Sequence, residues 1–359
     1  MRILTLGLSA LCCSGMLYAD GIKINGSFPQ IVRSVTNTGV NSSPMMAARG
    51  IQTIKLLKIE LSDEKQQKLQ QNIRQFSEIP HAKMMIAANK TFPASIQLGM
   101  GNVPVLDQGM HGSCVTFAST AALNAAMNKG DSISQLCQLQ LGNYLAEYGY
   151  GPSGWNGSIG PYVLSQMERF GFVPKTNEAK YGCGGYTSYP INDYDPQNGI
   201  SIEEYHRMAQ QIPDGIGWSP VLDVNDAFED GPASDVLEQV KAILNKKDRL
   251  TFGVLLFDFD KGLAGALGSH KATYDTWVLT PETLNDLRNN PEFGGHAMVI
   301  TGYDDNAVAK DNKGRTYRGL LTLRNSWGKG IGHQGNFYMS YDYFKTLVME
   351  IQRIRVERD

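Results

Sequence analysis

The pattern of apolar positions changes character along the chain. Residues 20 to about 92 open with short alternating runs: GIKINGSFPQIVRSV, with Asn25-Gly26 inside it as a hairpin signal, and TIKLLKIEL, a second strand. SDEKQQKLQQNIRQFSE then reads as a helix, with Ser62 or Asp63 as cap, Leu69, Ile73 and Phe76 on one face, and Pro80 as its end. Near Pro93 the chain becomes a loop punctuated by proline and glycine, NVPVLDQGMHGSC. It leads into an alanine-rich helix from 115 to about 129, with Gly130 as its stop. Val115, Ala118, Ala122 and Ala125 recur at helical spacing, and side chains that small suit a helix packed tightly on its neighbours. Further helices are predicted at 136–148, at 161–170 and over SDVLEQVKAILNKK. TFGVLLFDF, HAMVITGYDD, GLLTLRNSW and GNFYMSYDY are strand-like instead. Helices first and strands later predict an α+β fold rather than alternating βαβ units.

The first residues add a compartment. Arg2, the apolar run 3–18 and Ala19 before Asp20 predict a signal segment over 1–19. The run is short beside the ~20 apolar residues of a membrane helix, and no later segment is long and apolar enough to span a bilayer. Loss of 1–19 removes Cys12 and Cys13 and leaves Cys114, Cys137 and Cys183. In an oxidising compartment three cysteines divide into one pair and one free thiol. The net formal charge is -2 and no Lys/Arg run exceeds a pair, so there is no nucleic-acid footprint. The remainder divides into a small unit, 20–92, and a large one, 93–359.

The free thiol finds candidate partners. Cys114 sits where the long helix begins, so a thiolate there would face unpaired N–H groups and the positive end of the helix dipole, which predicts a lowered pKa. His296 follows Gly294-Gly295 at the start of a strand; His81, His111, His206, His270 and His333 have no such setting, although His111 is close enough to Cys114 in sequence to compete as a base. Asn325 follows GLLTLR and precedes Ser326-Trp327-Gly328. Its amide can hold an imidazole tautomer by accepting Nδ1–H, with Trp327 shielding that bond from water. The Gln108 side chain and the Cys114 N–H can form an oxyanion hole. Singly, each also reads as a buried cysteine, a core histidine or a turn asparagine.

QGMHGSC opening a helix, then GHAMVITGY, then LRNSWG resembles the papain family of cysteine peptidases over residues 95–350. The resemblance implies a helical left lobe and an antiparallel β right lobe with the cleft between them, plus a small α+β N-terminal prodomain. It implies Cys114 as nucleophile, His296 as base, Asn325 as its orienter and Gln108 at the oxyanion. It also departs from the family. Met110 stands where the family often has a cysteine, and Val115 where it often has tryptophan. The bridge partner, in a Gly-Cys-Asn-Gly-Gly string, is matched by Gly154-Trp155-Asn156-Gly157-Ser158, so both halves of that disulfide are missing together. Gly157 and Ser158 fall where two glycines hold the substrate backbone, and Gly295 replaces a polar residue before the histidine. With Trp327 these are the implied substrate contacts. Cys137 and Cys183 become the structural disulfide.

Cys114 and His296 lie farther apart than the ~130–150 residues usual in the family. The excess is expected in YGCGGYTSYPINDYDPQNG and in the stretch before His296, which would border the cleft. The implied protein is a secreted cysteine endopeptidase, extracellular or periplasmic, that cleaves protein or peptide substrates through a Cys114 thioester. It would be a monomer without cofactor, metal, nucleic acid or stable membrane association. Residues 20–92 would be a propeptide masking the cleft in cis, with KMMIAANKTFP able to reach it. Alternatives are a deamidase or acyltransferase using the same residues, or an inactive binding protein, which Ser158, Val115 and Gly295 would suit.

Overall fold

The computed structural model describes residues 17–35, 49–78, 92–229, 234–257, 263–264, 271, 274–289 and 292–357. Strands β1 (Leu17–Ala19), β2 (Ile22–Val35) and β3 (Arg49–Leu61) pair antiparallel in sequence order. The hairpin expected at Asn25-Gly26 is not there. Gly26 takes φ +94 and the β2–β3 register slips between Ile24 and Ser27, so the pair is a bulge inside a continuing strand. The two-residue turn is Asp20-Gly21, with Ala19 opposite Ile22 and Gly21 at φ +76. β1 thus lies within the expected signal segment, whose residues 1–16 are outside the described residues. Helix α1 (Asp63–Glu78) follows; Ser62 Oγ accepts the Lys65 N–H at 3.2 Å, and Leu69 and Ile73 are fully buried.

The helical lobe holds α2 (Cys114–Met127), α3 (Gln135–Glu147), α4 (Gly160–Phe170), α5 (Lys175–Tyr181) and α6 (Ile202–Met208). α2 is buried on nearly every side, because its small side chains let α3 and α4 close on it from one direction and the sheet from the other. It ends with Asn128 left-handed at φ 54, two residues before the expected Gly130. A second core gathers Leu136, Leu139, Trp155 and Tyr205, and the Cys137–Cys183 disulfide joins α3 to the loop after α5.

The β lobe contains β4 (Ser95–Gln97), β5 (Ile216–Leu222), α7 (Ser234–Asn245), β6 (Arg249–Leu256), β7 (Leu263–Ala264), β8 (Thr276–Trp277), α8 (Pro281–Leu287), β9 (Phe293–Lys310), β10 (Thr316–Arg324), β11 (Asn336–Ser340), α9 (Tyr341–Leu347) and β12 (Val348–Val356). The α+β layout expected from the sequence is the one observed. The strands pair antiparallel except for β11 with β8, which is parallel.

Strand β9 organises the site. β6 lines one edge, with Val254 opposite His296. On the other edge β10 pairs only from Val299 onward, where Arg324 meets it. Beyond that end β3 takes over, pairing Leu57, Lys58 and Ile59 with Gly295, Gly294 and Phe293. Residues 296–298 form the gap between those partners, beside the start of α2.

Candidate active site

Cys114 opens α2 and is completely buried; it is the free cysteine among the described residues. Backbone N–H groups of Ala297, Val115 and Cys114 favour its thiolate, as expected at a helix start, yet burial outweighs them and pushes the thiol up to about 12. The lowered pKa expected from sequence is therefore absent. The reason is the balance of magnitudes: a helix terminus stabilises a charge by under about 2 kcal/mol, less than the cost of withdrawing water from a buried ion.

His296 is held by Asn325, whose Oδ1 accepts the ring Nε2–H at 2.8 Å and the Ser326 N–H at 2.7 Å. The sequence reading placed that bond on Nδ1. With Nε2 as donor, Nδ1 carries the free lone pair of the neutral ring, and it has no hydrogen-bond partner. Burial holds the ring down to about 4. Thiol and imidazole are thus both neutral here. Trp327 stacks on His296 at 4.4 Å between centroids, and Trp277 meets Trp327 edge-on at 6.2 Å. Trp327 is buried, so in this form it covers the histidine rather than presenting a substrate surface.

Gln108 is gripped at both ends. Its Nε2 donates to the His111 carbonyl at 2.8 Å, and its Oε1 accepts from Ser326 Oγ at 2.7 Å. The residue beside Asn325 therefore also positions the oxyanion candidate. His111 is no base for Cys114, because Nδ1 faces Asp195 Oδ1 and Nε2 faces the Pro190 carbonyl. Met110, matched above to the missing cysteine, is 41% exposed. The residue three before Cys114, where a C-G-[SA]-C pattern has its first cysteine, is His111. It packs on Trp155 at 4.9 Å.

The expected substrate contacts lie under the hairpin. A Cβ on Gly157 (φ +123) would come within 2.6 Å of Ile24 Cγ2, and one on Gly295 within 2.7 Å of Ile59 Cγ1. Both glycines are thus needed for the hairpin's close approach. Ile22, Ile24, Leu57 and Ile59 face Val115, Ser158, His296 and Glu350 around a cavity of about 20 Å³, room for roughly one water. Ser158 Oγ is buried there without a partner. KMMIAANKTFP lies outside the described residues except for its Phe92-Pro93 end. Sequence reasoning missed the four plugging residues and Glu350. Alternation in GIKIN and LLKIEL marks an apolar face but does not say what it covers.

Residues 280–357 match the model of the Peptidase C1-like family. The chain is similar to the papain-like cysteine peptidases. The matched stretch includes His296, Asn325 and Glu350. Among solved structures, xylellain, a cysteine protease from Xylella fastidiosa, is 18% identical, with 77% of this chain and 90% of that chain covered and a TM-score of 0.46. Procathepsin L 3 of Tenebrio molitor larval midgut is 16% identical over 81% of this chain and 79% of that one, with a TM-score of 0.43. Bromelain protease from Ananas comosus is 16% identical, with 74% and 100% covered and a TM-score of 0.43. No curated protein sequence matches the chain.

Proposed function

We propose that this protein is a papain-like cysteine peptidase held inactive by its own N-terminal hairpin. The observation that carries the reading is that Cys114, at a helix start, lies against the Ala297 N–H, next in the chain to a histidine whose Nε2–H is fixed by Asn325 and whose Nδ1 is unused. Once the hairpin leaves and water enters, the thiol proton passes to His296 Nδ1. The thiolate then attacks the scissile carbonyl, and the Gln108 amide and Cys114 N–H receive the oxyanion. His296 protonates the leaving amine, and the resulting thioester is hydrolysed by water that His296 activates. Residues 20–92 act as propeptide and 93–359 as catalytic unit. The disulfide supports a secreted, oxidising location, and among the described residues no helix is long and apolar enough to cross a membrane.

The test uses an open-cleft chain carrying Ile24→Asp and Ile59→Asp, compared with the same chain plus Cys114→Ala, on denatured casein. Thiol-dependent cleavage lost in Cys114→Ala supports the peptidase. Ammonia release from casein without chain cleavage would instead make it a deamidase. A reduced, folded chain that does neither would make it a binding protein.

A further inference from the structure

Residues 189–195, part of the excursion the sequence marks as excess length, lie directly behind the loop that carries Gln108 and Cys114. Ile191 O accepts the Met110 N–H at 3.1 Å, Tyr189 Oη donates to Gln108 O at 3.0 Å, and Tyr189 Oη and Ser113 Oγ bond at 2.9 Å. A Cβ on Gly109 would fall 2.0 Å from Ile191 O, so the two backbones are in contact. His111 is wholly buried, with its ring edge-on to both Trp155 and Tyr189, which stack on each other. Its ring nitrogens face Asp195 Oδ1 and Pro190 O. A carbonyl can only accept, so the nitrogen facing Pro190 O donates to it, and the other ring nitrogen is engaged by the Asp195 carboxyl. The second Asp195 oxygen accepts from Asn156 Nδ2 at 2.6 Å, and Asn156 bridges to Gly112 and precedes Gly157-Ser158. Lys55 of the hairpin stands 3.9 Å from the same oxygen.

We propose that the buried His111–Asp195 pair positions the oxyanion site: it fixes the His111 carbonyl that holds the Gln108 amide, and ties that loop to the Asn156–Ser158 segment through a single carboxylate. This rests on the peptidase reading. His111 and Asp195 are positioning residues, since neither ring nor carboxylate reaches Cys114. The pair does for two loops what a covalent crosslink would do, and it aims a donor where charge develops during attack.

Two reagents separate oxyanion positioning from general damage. Iodoacetamide forms a carbon–sulfur bond at Cys114 and expels iodide, with no oxyanion. A peptide aldehyde forms a hemithioacetal, in which the thiolate adds to the carbonyl carbon and the carbonyl pair moves onto oxygen at the Gln108 amide. In the open-cleft chain, His111→Phe keeps the ring packing and removes both ring nitrogens. It is expected to weaken aldehyde binding and kcat by about 10², with KM and the alkylation rate within about 3-fold of the parent. Asp195→Asn, which keeps size and one acceptor, should show the same pattern at about 10-fold. In a Gln108→Ala background, His111→Phe should cost almost nothing further. Equal loss in both reagents, or fully additive losses with Gln108→Ala, would overturn the proposal. A parent chain inert to both reagents would overturn the peptidase reading and this inference with it.

Discussion

Driving the hairpin from the cleft should wake Cys114. Ile24 and Ile59 are 7% and 4% exposed and sit against Gly157 and Gly295. Two buried isoleucines contribute roughly 3–6 kcal/mol to docking, and a carboxylate in either place enters a cavity lined by no Lys or Arg and adds a desolvation cost of several kcal/mol. Ile24→Asp with Ile59→Asp should therefore leave the hairpin undocked. Cys114, now pushed up by burial from an ordinary 9.0 to about 12, would return toward its ordinary value. Three pH units give roughly 10³ more thiolate at neutral pH. The lower-pKa thiolate is intrinsically weaker by about 16- to 32-fold. The net expectation is alkylation by iodoacetamide about 30- to 60-fold faster, before any help from His296. The assay follows the Cys114 peptide by mass over time, in the parent and substituted full-length chains, between pH 5 and 9. Equal rates would refute the reasoning, because burial by the hairpin would then not be what keeps the thiol neutral.

Three further outcomes are expected. Asn325→Ala removes the acceptor of the 2.8 Å bond from His296 and should lower kcat of the open-cleft chain by about 10² with little change in KM, read on a peptide substrate. Glu350 is buried, and burial raises its carboxyl from 4.5 to about 7 against the pull of the Gly160 N–H. The folded chain binds that proton more tightly than the unfolded one, so the contribution is fully present below about pH 4.5 and is lost as pH rises through about 7. Glu350→Gln should raise stability by roughly 3 kcal/mol above pH 7 and change little near pH 4, measured as Tm across pH. Replacing Cys137 and Cys183 by serine opens a loop with a separation of 46 residues and should destabilise the fold by roughly 4 kcal/mol on the chain-entropy model, seen as a lower denaturant midpoint.

Much of this was legible from local chemistry. Helix starts and strand runs follow from side-chain periodicity, which acts within a few residues. Hence Ser62, the alanine-rich helix behind Cys114 and the strand after His296 fell close to where they were expected. Cys114, His296, Asn325 and Gln108 stood out because each is flanked by a helix start, a strand end or a tight loop. Asn25-Gly26 failed for a complementary reason: a turn dipeptide competes with the ladder on either side, and here β3 pairs straight past it. Gly130 lost to Asn128 because a left-handed asparagine ended the helix first.

What the sequence could not determine are quantities that belong to contacts between distant segments. Which imidazole nitrogen meets Asn325 depends on how β9 and the end of β10 present the two side chains. The surroundings of the site depend on β3, more than fifty residues upstream, which fills the edge that β10 leaves open and brings Leu57 and Ile59 to one cavity with Val115 and His296. A helix terminus by itself argues for a reactive thiolate; burial excludes the water that would solvate the charge, and only the tertiary structure shows that Cys114 is buried. The same holds for His111: the residue type and spacing offered a possible base, and packing against Trp155, Tyr189 and Asp195 made it a brace, because both of its nitrogens were already engaged.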